Sequence, residues 1–97
     1  MQLVSITKSD RVGKKWKATF ANTSKGQEIV HFGAVGYQDY TSGATDAQKI
    51  RYKSRHTNPR ENHNKPNTAA SLSYHILWGD SKSRLANIKS FKQKFNI

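Results

Sequence analysis

The residues best suited to chemistry lie in one run, Lys49-Ile50-Arg51-Tyr52-Lys53-Ser54-Arg55-His56, with Arg60 and Lys65 soon after it. On a helix, Lys49, Lys53 and His56 share one side, while Arg51 and Arg55 share a neighbouring one. Like charges four residues apart destabilise an isolated helix by about a few tenths of a kcal/mol per pair. Asp46 is the only acidic residue close enough along the chain to offset them. A partner carrying phosphates would remove that repulsion and release its own condensed counterions. The plain alternative is a solvated helix face. A second cationic patch, Lys14, Lys15 and Lys17, falls at a predicted hairpin. There it can reach phosphate, or simply guard a sheet edge against aggregation. The candidate nucleic-acid contacts are therefore Lys14, Lys15, Lys17, Lys49, Arg51, Lys53, Arg55, Arg60 and Lys65.

Aromatic residues stand among these cations. Tyr37, Tyr40 and Tyr52 are of a type that stacks on bases, although packing of the glycine segment against helices is the favoured reading. Trp16 alternates with Ala18 and Phe20, which reads as core.

Catalytic patterns are weak by comparison. The four histidines, 31, 56, 63 and 75, never take a metal-binding HExxH spacing. Glu61-Asn62-His63-Asn64 superficially suggests a His/Asn metal nuclease, but one short string does not supply several converging ligands and a positioned base. The acidic residues are scattered singly, which gives no paired-carboxylate signal. Absence of cysteine excludes disulfides, thiolate zinc sites and cysteine nucleophiles. Phe32-Gly33-Ala34-Val35-Gly36 is too short for a phosphate loop, and no Lys-Ser/Thr follows it. No catalytic residue, metal or cofactor is expected, and the reading is non-enzymatic.

Composition bounds the class. The 97 residues carry 17 Lys+Arg against 6 Asp+Glu, a net charge of +11. Such an excess repels itself in a compact state and calls for an acidic partner, nucleic acid first. DNA is put ahead of RNA, and a symmetric homodimer would lengthen a phosphate track. The excess is uneven: residues 1–45 hold six basic and three acidic groups, residues 46–97 eleven and three. At 34% the apolar fraction is low, but 10% aromatics argue for a folded domain with long polar loops. No window approaches the ~20 apolar residues of a membrane-spanning helix, and no signal peptide is read at the N-terminus.

The elements that must position these residues read as α+β, one domain over 1–97. An N-terminal three-stranded antiparallel meander covers 1–32, a Gly/Tyr loop 33–45, and a basic half with two or three helices 46–97. In the first strand, Val4 and Ile6 alternate with Leu3, Ser5 and Thr7 to make one apolar face. Trp16, Ala18 and Phe20 mark the second strand, and Glu28 to Phe32 the third. Thr45 or Asp46 caps a helix from Ala47 to Arg55 or His56, which Asn58-Pro59 then stops. A polar loop spans residues 57–67. Thr68 caps a helix through Ala69, Leu72, Ile76 and Leu77, closed by Gly79. A last helix starts at Asp80 or Ser81 and carries Leu85, Ile88, Phe91 and Phe95 within an arc of about 120°.

Beyond the residues themselves, Val30-His31-Phe32-Gly33-Ala34-Val35-Gly36-Tyr37-Gln38-Asp39-Tyr40-Thr41 resembles a block of a small basic protein family of nucleocytoplasmic large DNA viruses. The order continues with Arg51-Tyr52-Lys53-Ser54-Arg55-His56, Arg60-Glu61-Asn62, Thr68-Ala69 and Leu77-Trp78, so the resemblance covers about residues 28–95. Where that family carries a tryptophan after Arg-Glu-Asn, this chain has His63, and Ala70-Ser71-Leu72 replaces an aromatic-rich step. The resemblance implies a viral setting: a virion, or the viral factory or nucleus of an infected host cell. Genome packaging or organisation suits a small basic protein there. The alternative is a virion structural module that meets an acidic viral protein or an inner membrane. Backbone contact with six to ten phosphates would cost about 10³–10⁵ in affinity between 50 and 200 mM salt.

Overall fold

The computed structural model describes residues 1–57 and 62–97. Three antiparallel strands come first: β1 (Gln2–Lys8), β2 (Lys14–Thr23) and β3 (Gly26–Ala34), with β2 in the centre. A 3₁₀ turn, Tyr40–Ser42, leads to α1 (Asp46–Arg55). Then come α2 (Ala69–Leu72), which widens into a π turn at Ser73–Leu77, and α3 (Arg84–Phe95). The architecture is α+β, a meander followed by three helices.

One face of the sheet makes the core. Trp16, Ala18 and Phe20 of β2 oppose Phe32, Val30 and Glu28 of β3. Phe20, Phe32 and Ala18 are buried together with Leu72, Ile76, Leu77 and Phe91 from the helices. Short turns connect the strands, and the period-two pattern turns one apolar row inward.

The first strand departs from simple alternation. Its register shifts between Leu3 and Ser5, so Leu3 pairs with Phe20 and Ile6 with Ala18. This extra residue puts Leu3 and Ile6 on the core side and leaves Val4 56% exposed. The expected Val4/Ile6 face is thus corrected by a bulge, which strict alternation cannot represent. The C-terminus secures the same strand, because the Leu3 N–H donates to the Ile97 carbonyl at 3.3 Å.

β3 also outruns its expected end at Phe32, continuing to Ala34. Gly33 sits there at φ +82°, and a side-chain carbon on it would lie 3.0 Å from Leu77 Cδ1. Glycine is needed for both the backbone conformation and the close approach.

The helical half differs from expectation at two ends. Gly79 closes the third helical segment by contact and not by a left-handed turn, for a Cβ there would collide with the His75 carbonyl and sit 2.7 Å from Asn87 Cγ. α3 begins at Arg84, capped by Ser83, several residues later than Asp80 or Ser81. Its inward face holds Asn87, Ile88, Phe91 and Phe95, while Leu85 is 71% exposed. Asn87 replaces Leu85 because the 80–83 turn needs polar partners. Its amide nitrogen donates to the carbonyls of Ile76 (2.8 Å) and Ser81 (2.7 Å), and its oxygen accepts from the Ser81 N–H (3.0 Å). Three bonds satisfy backbone groups that would otherwise be costly to bury.

Candidate nucleic-acid interface

Thr45 caps α1 by accepting from the Gln48 N–H, and the Gln48 side chain returns the bond to the Thr45 N–H. This reciprocal cap starts the helix, but no residue of α1 is fully buried. Rings and cations dock it instead. Tyr52 stacks on Trp78 at 4.4 Å and 9°, and on His56 at 4.2 Å and 28°. Lys49 lies 4.0 Å from the centre of the Tyr40 ring and donates to the Gly79 carbonyl at 3.3 Å. Lys53 lies 4.7 Å over Tyr74. Contacts of this kind are worth about 0.5–1 kcal/mol when exposed and ~2 when desolvated.

Electrostatics on this flank follow from the contacts. Tyr40 donates its hydroxyl to Asp46 Oδ1 at 2.6 Å, and that bond to a carboxylate raises the phenol above its ordinary pKa. Partial burial lowers Lys53, and nearby Lys49 adds to the shift while Asp80 opposes it. Lys53 also lines a cavity of about 250 Å³ with His75, Asp80, Asn87 and Lys94.

The other flank of α1 points outward. Arg51 and Arg55 are exposed there, facing the segment between β3 and the 3₁₀ turn. Asp39 organises that segment. One carboxylate oxygen accepts from the Thr41 N–H (2.9 Å) and hydroxyl (2.6 Å), while Ser42 Oγ accepts from the Asp39 N–H. Lys15 closes the arrangement by donating to Asp39 Oδ2 (2.8 Å) and to the Tyr37 carbonyl (2.6 Å). Tied at its backbone, Tyr37 holds its side chain 75% exposed.

Two adjoining cavities run between this segment and α1. The first, about 480 Å³, is lined by Lys14, Lys15 and Arg55, by Tyr37, Tyr52 and Trp78, and by a floor that includes Gly33, Ala69 and Leu77. Its neighbour, about 320 Å³, takes in Gly36, Gln48 and Arg51. Tyr37, Gln38, Arg55 and Trp78 line both, so the two form one trough.

The nine candidate cations therefore fall into separate groups. Lys14, Arg51 and Arg55 meet at the trough. Lys15 lines it too, with its ammonium held by Asp39. Lys49 and Lys53 lie on rings across the helix. Lys17 lines neither cavity and sits 3.9 Å from Asp10. Lys65 is exposed in the turn before α2, and Arg60 lies outside the described residues. The favoured packing reading of the tyrosines fits Tyr40, which is buried, but not Tyr37.

Several contributors had no place among the candidates. Trp78 has only its position at a helix end to announce it, and Asp39 only a side-chain oxygen three residues before Ser42. Arg84, counted as surplus charge, stacks its guanidinium 3.7 Å over Trp16. His63 keeps an aromatic place, stacked on Tyr74 at 4.0 Å. Among the described residues no three His, Asp or Glu side chains converge as metal ligands; Glu61 of the nuclease-like string lies outside them. Among them, too, no helix is long and apolar enough to cross a membrane.

No solved structure matches the chain. Uncharacterized protein L851 of Acanthamoeba polyphaga mimivirus is 34% identical over 80 residues, 77% of this chain and 80% of its own length. That similarity agrees with the resemblance to a giant-virus family. Residues 4–56, from β1 through α1, match the model of a family of unknown function. They hold Lys14, Lys15, Tyr37, Arg51 and Arg55 of the trough's lining. With the sheet, the glycine segment and the basic helix all inside the matched stretch, this chain belongs to the Family of unknown function DUF5754.

Proposed function

We propose that this is a non-enzymatic DNA-binding protein of a large DNA virus, gripping the phosphate backbone with little sequence preference in genome packaging or organisation. The supporting observation is the convergence of Lys14, from the sheet, with Arg51 and Arg55, from α1, along one trough. Those cations come from distant parts of the sequence, and among the described residues no carboxylate lines either cavity. Backbone contacts position a protein without reading sequence.

The geometry also revises the expected strength. Three free cations at the trough, Lys14, Arg51 and Arg55, predict a loss of about 40-fold between 50 and 200 mM salt, well below the 10³–10⁵ of six to ten contacts. Fluorescence anisotropy of a labelled duplex and a labelled single strand at both salt concentrations tests this. Binding that weakens by about 40-fold supports the reading, and no binding of either form at 50 mM salt ends it. The virion, the viral factory or the host nucleus is the corresponding location, and a homodimer would extend the track.

A second reading, an interaction module of the virion, has one specific observation in its favour. Val4 and Ile29, 56% and 52% exposed, lie on the sheet face that the helices leave uncovered. Capture of a capsid component that survives nuclease treatment would favour it.

A further inference from the structure

We infer that the trough takes single-stranded DNA, with an unstacked base against Tyr37, Trp78 in the wall beside it, and the neighbouring phosphates on Lys14, Arg51 and Arg55. This rests on the DNA-binding reading and goes further by naming the form of nucleic acid. Three features carry it. First, Tyr37 is a large ring held outward on a backbone clamped by Lys15 and Asp39, so stacking on it costs little ordering. Second, the walls combine rings with cations, the pairing that serves base faces and phosphates together. Bases inside a duplex have both faces covered, so the Tyr37 ring stacks only on a base that has left the stack.

The third feature is the double compartment. A cleft of about 480 Å³ lies within the range of small-ligand sites, about 300–1,000 Å³. Its continuation into a second of about 320 Å³, past Tyr37 and Trp78, suits consecutive units of a strand better than one free nucleotide. Arg55 lines both compartments, where a phosphate linking two such units would sit. An acidic peptide would satisfy the cations but leave the exposed ring without a flat partner.

Anisotropy with labelled dT15, a 15-base-pair duplex and U15, on the full chain and on Tyr37→Ala and Tyr37→Phe, provides the test. The Tyr37 side chain is mostly in solvent, so neither variant threatens the fold. Tyr37→Ala is expected to weaken dT15 binding by about 5- to 100-fold and the duplex by less than about twofold, with Tyr37→Phe restoring it. Quenching of tryptophan emission by dT15 should persist in Trp16→Phe, since Trp16 lines neither cavity. Equal binding of dT15 by wild type and Tyr37→Ala overturns the inference, as does an equal loss on strand and duplex. U15 bound tenfold more tightly than dT15 overturns it in favour of RNA. Wild-type protein that binds neither duplex nor strand overturns the DNA-binding reading itself, a separate result.

Discussion

The two flanks of α1 carry the same kind of residue and put it to opposite uses. Lys49 and Lys53 lie over Tyr40 and Tyr74 and hold the helix to the body. Arg51 and Arg55, two residues further on in each case, line the trough. Net charge does not distinguish the flanks; what sits opposite each side chain does. A cation facing a buried ring gives up hydration for cohesion, whereas one facing an open cleft keeps its charge available to a ligand.

The widest separation should come from removing the charges of one flank at a time. Lys14→Ala combined with Arg51→Ala and Arg55→Ala should lower duplex affinity at 50 mM salt by about 10²–10³ and reduce the salt slope by about 3. The pair Lys49→Ala and Lys53→Ala should change affinity by less than about threefold. If the pair costs as much as the triple variant, the division between flanks is wrong.

Stability should show the reverse order. Asn87→Leu leaves the Ile76 and Ser81 backbone groups without their partners and should cost about 2–3 kcal/mol in urea unfolding. Losing both ring-seated lysines should cost less, about 1–2 kcal/mol. No loss for the lysine pair would mean that the rings merely neighbour the ammonium groups.

A pH effect of smaller size belongs to the ring-bearing side. His75 packs beside Phe91 and Phe95, and its Nε2 is 3.0 Å from the His63 carbonyl. Partial burial lowers its pKa from the ordinary value near 6.5, and Lys94, His63 and Lys53 add to the shift, against the backbone bond. The unfolded chain therefore takes up the proton more readily, so this contribution to stability falls as pH drops below about 6.5. His75→Gln should flatten the change in urea midpoint between pH 7.5 and 5, and an undiminished slope would remove His75 from the account. The smallest effect is expected at Leu85→Ala, within about 0.5 kcal/mol, because its side chain faces solvent.

Much of this was legible in order and kind. The strands, the α1 cap and the cap of α2 follow from short-range rules: alternation of Trp16, Ala18 and Phe20, and hydroxyl oxygens at Thr45 and Thr68. The inward face of α3 was legible only from Ile88 onward. A buried asparagine serving the backbone of another segment leaves no mark in a hydrophobic pattern.

The sequence by itself determined the α+β order, the concentration of positive charge after residue 45, and the presence of aromatic residues among the cations. Those properties are local, set by neighbours within a turn or a strand pair. Tertiary structure alone decided which cations remain available. Lys15 meets Asp39 across 24 positions, and Arg84 meets Trp16 from the far end of the chain. Coulombic and ring contacts fall off within a few ångströms, so they depend on where folding brings a charge and not on its place along the chain.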